Sequence, residues 1–170
     1  MITAKLVGDK VKSSSIDSFS LYEKSNFGEK SQNSIEYIPS ETIYLVSEEK
    51  MKVFSGFKAQ TEEQLIKKFK KSDKKIETKS IVFKDLRKKG YIIKTALKFG
   101  VEFRVYDKGS KPGKEHARWL LQTAKVNENI NWHDFAAKSR IANSTKKTLL
   151  VGLVDEENDV TYYEVSWRKP

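Results

Sequence analysis

The stretch Lys147–Val154, KTLLVGLV, is apolar on both faces of any extended conformation. Such a run has to lie inside a sheet that is covered on both sides. It is followed by VTYYEVSW across the acidic tip Asp155-Glu156-Glu157-Asn158-Asp159, and the pair reads as a hairpin. A central strand needs further neighbours, and three strand-like runs precede it: YIIKTAL, VEFRVY and HARWLLQTA. In the second, Val101, Phe103 and Val105 point one way and Glu102, Arg104 and Tyr106 the other. A helix, WHDFAAKSRIAN, opens at Asn131 or the residue before it, with Trp132, Phe135 and Ala136 expected inward and Lys138 and Arg140 toward solvent. Another helix spans Ile81–Lys89 and is closed by Gly90. Helix, three strands, helix and hairpin predict an α/β (α+β) layer fold with a mixed five-stranded sheet flanked by helices.

Residues 1–78 predict a smaller α/β domain. Met1–Lys12 reads as one short strand with a polar exit. Asp17 or Ser18 caps a short helix that Gly28 ends. Ile35, Tyr37 and Ile38 form a strand stopped by Pro39, and Ser40 caps the helix SETIYLVSEE with Glu41 in its first turn. Met51, Val53 and Phe54 make a further strand. Thr61 caps TEEQLIKKFKKS, whose buried stripe is Leu65, Ile66 and Phe69. The polar stretch Ser72–Lys79 is the expected linker, which places the second domain at 79–170.

Composition narrows the chemistry. The chain has no cysteine, so disulfides, thiolate nucleophiles and Cys-bound metals are ruled out, and its two histidines (His116, His133) leave little for a His-rich metal site. No run reaches transmembrane length and the first residues lack a signal-peptide core, so a cytoplasmic protein is expected. The formal charge of +10 is uneven: residues 1–80 carry +3 and residues 81–170 carry +7. All five arginines (Arg87, Arg104, Arg118, Arg140, Arg168) fall in the second part. Guanidinium makes planar bidentate contacts with phosphate and stacks on bases, so this bias points to nucleic acid.

Tyr106 ends one strand and His116 opens the next run, with the loop DKGSKPG between them. A phenol and an imidazole joined by a lysine-rich loop make a site open to anions. Taken in order, FKDLRKKGYIIKTALKFGVEFRVYDKG, then His116, then RIANSTKKTLLVGLVDEENDVTYYEVSWRKP resemble the catalytic domain of the archaeal tRNA-intron (splicing) endonucleases. LYEKSNFGE and IEYIPSETIYLVSE resemble that family's amino-terminal domain. The resemblance implies a restriction-endonuclease-like catalytic fold and a trio of Tyr106, His116 and Lys147. The family's lysine follows Ser-Val-Arg, here Ser144-Thr145-Lys146, so Lys146 stands where the family has Arg. Ala96 stands where it usually has Gly, a difference of packing.

The implied chemistry suits these groups. RNA carries its own nucleophile, the 2′-hydroxyl, so cleavage needs a base, an acid for the departing 5′-oxygen and a cation for the charge on phosphorus, and no metal. Imidazole, which titrates near neutrality, is the natural acid; lysine supplies the fixed charge. The tyrosine, as the resemblance implies, is the base, and a phenol of pKa about 10 needs nearby cations for that task; Arg104 and Lys147 are the candidates. The expected products are a 2′,3′-cyclic phosphate and a 5′-hydroxyl. The family cuts bulge–helix–bulge junctions in precursor tRNA and grips a flipped base between two cations. Arg140, seven residues before Lys147, and Arg168 beside Trp167 are the counterparts. Two bulges need two sites, which implies a homotetramer or a heterotetramer with a structural subunit, docked through Asp155, Glu156, Glu157 and Asp159. No cofactor and no metal ligand is implied. Two other readings compete: a noncatalytic RNA-binding or structural subunit, and a metal-dependent DNA nuclease, which needs clustered acids with a nearby lysine, an arrangement that Glu102 and Asp107 lack.

Overall fold

A computed structural model describes all residues from Met1 to Pro170. Two compact units emerge, Met1–Lys84 and Asp85–Pro170. The division falls inside helix α4 (Ile76–Lys88), which also contains the boundary expected at 78/79. No helix is long and apolar enough to cross a membrane.

The first unit holds a six-stranded sheet of β1 (Ile2–Val7), β2 (Lys10–Ser13), β3 (Glu29–Ser31), β4 (Ser34–Tyr37), β5 (Met51–Ser55) and β6 (Lys58–Gln60), in the order β3-β4-β2-β1-β5-β6. Only β1 and β5 run parallel. The expected strand ITAKLVG is β1, and its polar exit turns at Gly8 (φ 63°) into a second strand, β2, that pairs back on it. Strands β2, β3 and β6 were not anticipated: each has only three or four residues, too few for alternation to show.

Helix starts also differ from expectation. Helix α1 (Ile16–Ser25) is capped by Ser15, whose side chain accepts from the Ser18 amide at 3.3 Å, and ends at Asn26 in the left-handed region. Gly28 is needed for another reason: a Cβ there would overlap Ile35 and come within 2.9 Å of the Glu36 carbonyl. Helix α2 (Pro39–Ser47) takes Ile38, not Ser40, as its N-cap, because Pro39 fits the first position. The buried Glu41 carboxylate then accepts from the amides of Ile38 (3.2 Å) and Gly28 (2.9 Å). Helix α3 (Glu62–Phe69) is capped as predicted by Thr61, in a reciprocal pair with Gln64. Helix α4 begins inside the expected linker, anchored by buried Ile76 and by Asp73, which accepts from the Lys75 amide and pairs with Lys79 at 2.7 Å.

The second unit is the mixed five-stranded sheet that the sequence predicts, ordered β11-β10-β9-β8-β7. Its strands are β7 (Ile92–Thr95), β8 (Phe103–Tyr106), β9 (Trp119–Lys125), β10 (Thr148–Val154) and β11 (Val160–Val165). Strands β9 and β10 are parallel and joined through helix α5 (Trp132–Ser144); the other pairs are antiparallel. Strand β10 is inside the sheet, as its apolar composition requires. A core of Ala96, Val101, Leu120, Ala142, Leu149 and Val151 forms where α5 covers the sheet, and the Ala96 methyl belongs to it. Trp132 does not turn inward: it is 74% exposed, with its ring perpendicular to that of Phe135. Lys138 pairs with Asp134 at 2.7 Å and is mostly covered rather than free in solvent. Strand β9 starts at Trp119, so His116 precedes the strand instead of opening it.

Candidate active site

Register brings the chemistry together. Val105 pairs with Trp119, and Trp119 with Thr148, so the last residue of β8 and the residues just before β9 and β10 lie at one end of the sheet. The ladder continues one row further, where the Arg118 amide donates to Val105 O (2.9 Å) and the Thr148 amide to Arg118 O (3.1 Å). Tyr106 and Lys147 stand on this outer row, two strand spacings or about 10 Å apart at the backbone. Two long side chains can span that gap around a phosphate.

Arg104 pairs with Leu120 and Leu120 with Leu149, both core residues beneath α5, so Arg104 and Tyr106 share the α5 face of the sheet. The Arg104 guanidinium lies 6.0 Å from the centre of the Tyr106 ring and its Nε donates to Thr95 O at 3.0 Å. The Tyr106 ring itself is buried against Ile92 and Ala117.

Lys147 owes its place to the end of α5. Lys146 adopts the left-handed conformation (φ 57°) and its amide donates to Asn143 O, while the Lys147 amide donates to Ala142 O at 2.8 Å. This pair of bonds is a Schellman closure, in which Lys146 serves as the turning residue and Lys147 is delivered to the start of β10. The Lys147 ammonium donates to Thr145 O at 3.0 Å and lies 5.7 Å from the centre of the Phe99 ring. Burial lowers its pKa from the usual lysine range, and the nearby charges of Arg104 and Lys98 lower it further.

His116 is exposed on the segment leading into β9. Its two neighbours are fixed: Glu115 accepts from the Lys111 amide at 2.6 Å, and Ala117 is buried against Tyr106. The backbone at His116 therefore lies at the same end of the sheet as Tyr106. The acids of that region already have partners. Glu102 accepts from the Thr123 amide (3.2 Å), and Asp107 pairs with Arg118 at 3.4 Å. No group of three or more acidic or imidazole side chains is placed to hold a metal ion.

The remaining expected residues lie on α5, beyond β11 and at the hairpin tip; Val165 pairs with Leu149, so β11 ends on the side of the sheet where Lys147 enters β10. Arg140 is exposed on α5, and Trp167 and Arg168 are exposed beyond the end of β11. None of the three has a side-chain hydrogen bond, ion pair or ring contact in the chain, so all remain available to a partner. In the acidic tip, Asp155 is turned inward, accepting from the amides of Glu157 and Asp159, both at 2.9 Å. Glu156, Glu157 and Asp159 are the carboxylates left facing outward. Three residues that sequence reasoning passed over belong near the site. Lys98 and Phe99 flank Lys147, and Arg118 lies 4.3 Å from the centre of the Trp119 ring on the outer row. The adjacency of Lys98 and Phe99 in KTALKFG was the available signal for the first two.

Comparison with known proteins assigns both parts of the chain to one family. Residues 76–162 match the family described as tRNA intron endonuclease, catalytic C-terminal domain, and residues 2–66 match its N-terminal domain. A protein of Thermococcus onnurineus named tRNA-splicing endonuclease is 37% identical over 99% of this chain and 97% of its own length. Proteins of the same name from Pyrococcus abyssi (37%, 96% of this chain and 95% of the relative) and Methanothermobacter thermautotrophicus (33%, 88% and 87%) are also similar. The chain belongs to the tRNA intron endonuclease family and carries both its N-terminal and its catalytic domain.

Proposed function

We propose that this enzyme cleaves precursor tRNA at bulge–helix–bulge exon–intron junctions, with Tyr106, His116 and Lys147 around the scissile phosphodiester. The observation that carries the proposal is the shared outer row of Tyr106 and Lys147 at one end of the catalytic sheet, with Arg104 beside the Tyr106 ring and the His116 segment arriving at the same end. Tyr106 removes the proton from the 2′-hydroxyl, and the 2′-oxygen attacks phosphorus. Lys147 stabilises the negative charge gathering on the non-bridging oxygens. His116 gives a proton to the 5′-oxygen as the P–O5′ bond breaks. The products are a 2′,3′-cyclic phosphate on one fragment and a 5′-hydroxyl on the other.

Recognition then rests on shape, because A-form helices hide their base edges while bulged bases can be splayed out. Arg140 and Arg168, with Trp167 beside it, close on a flipped bulge base. Two such bulges call for two active sites, supplied by a homotetramer or by pairing with a structural subunit through Glu156, Glu157 and Asp159. In this division the first domain serves assembly and the second catalysis.

The test is to purify the chain alone, determine its size in solution and offer it a bulged precursor tRNA in EDTA. Cleavage giving a cyclic phosphate and a 5′-hydroxyl supports the proposal. An assembled protein that binds the RNA but does not cut it would instead favour a noncatalytic subunit, and cleavage that EDTA abolishes would favour metal-dependent hydrolysis.

A further inference from the structure

Lys147 is a long side chain on a half-buried site, and something must hold its ammonium in one place. The Thr145 carbonyl provides one contact at 3.0 Å. The second is the ring of Phe99, whose centre lies 5.7 Å from Lys147 Nζ. The same ring lies 5.1 Å from the ammonium of Lys98. Phe99 is partly buried against the core under α5, which includes Leu149 two residues beyond Lys147. The short 3-10 turn Leu97–Phe99 presents it, and Gly100 closes that turn in the left-handed region. An aromatic face attracts a cation more strongly where water is reduced, and it leaves the N–H donors free for a phosphate.

We propose that Phe99 is a positioning residue for RNA cleavage, its ring holding the Lys147 ammonium at the scissile phosphate with Lys98 as a second cation on the same ring. This rests on the assignment of Lys147 above. Phe99 does not touch the reacting atoms. Its contribution belongs to the step in which charge builds on phosphorus, and substrate affinity, set by other contacts, is untouched.

The test replaces Phe99 with phenylalanines carrying one, two and three ring fluorines, which keep shape and burial while draining the ring face of negative charge. Single-turnover cleavage of a bulged precursor tRNA is measured with Phe99→Leu, Phe99→Trp and Lys147→Met alongside. The expected result is a maximal rate that falls stepwise with each fluorine, reaching roughly three- to thirtyfold for the trifluoro ring and for Phe99→Leu. The substrate concentration at half-maximal rate stays constant, and Phe99→Trp keeps most of the activity. A rate that ignores fluorination while Lys147→Met is inactive overturns the role of Phe99 alone. Full activity in Lys147→Met overturns the assignment of Lys147 on which it rests.

Discussion

Replacing Lys147 with methionine separates catalysis from folding. Methionine keeps most of the apolar stem and removes the charge. The structure places that charge in poor surroundings: burial opposes it first, and Arg104 and Lys98 oppose it next. The folded-state pKa is thus lowered relative to the unfolded chain. Between those two values the unfolded chain holds more protons, so stability rises with pH across that window, and below it the charged lysine weighs against folding throughout. Removing the charge at neutral pH therefore leaves the melting temperature unchanged or slightly higher, a small effect because the side chain retains solvent contact. Cleavage behaves in the opposite way. A preorganised donor at developing negative charge contributes roughly 100- to 1,000-fold in rate, about 3–4 kcal/mol. Single-turnover cleavage with saturating enzyme gives the first quantity and a calorimetric melt the second. The reasoning is refuted if Lys147→Met cuts within tenfold of the parent, or if its melting temperature falls in step with its rate.

Other outcomes follow from single residues. Lys146→Gly relieves a left-handed lysine at the helix closure, so urea titration should show a gain of about 1 kcal/mol with cleavage unchanged; lost cleavage would move the catalytic role to Lys146. His116→Ala lowers the cleavage rate roughly 100- to 10,000-fold, and a substrate with sulfur in place of the scissile 5′-oxygen, a leaving group that needs no proton, restores it; an equal deficit on both substrates would remove His116 from the acid role. Gly28→Ala costs about 2–4 kcal/mol in denaturant titration, since its Cβ overlaps Ile35 at a positive φ.

The catalytic sheet was legible because its strands are apolar enough to announce their positions. Leu149–Val151 is buried on both faces, and VEFRVY alternates as far as Val105, with Tyr106 buried as well. The amino-terminal sheet was only half legible, because β2, β3 and β6 are polar pieces held by hairpin pairing, whose cause is the neighbouring strand. Trp132 misled because helical spacing gives a face, whereas α5 needs only Phe135, Ile141 and Ala142 to cover the sheet. Helix α4 hid its start because its buried face there is one apolar residue, Ile76, and two small polar ones, Thr78 and Ser80, set among charged residues. The proposed trio of Tyr106, His116 and Lys147 is read from order and resemblance. Phe99 and Lys98 were not legible, since their nearness to Lys147 depends on packing between segments almost 50 residues apart.

The central claim is that one scissile phosphodiester is served by a phenol, an imidazole and an ammonium from three successive strand ends. The most direct measurement is a crystal structure of the assembled enzyme on a bulged precursor tRNA whose scissile nucleotide lacks its 2′-hydroxyl. The account predicts Tyr106 at the vacant 2′ position, His116 at the 5′-oxygen and Lys147 at a non-bridging oxygen of the same phosphate. A complex in which that phosphate rests elsewhere, with any of the three beyond reach of it, would contradict the account.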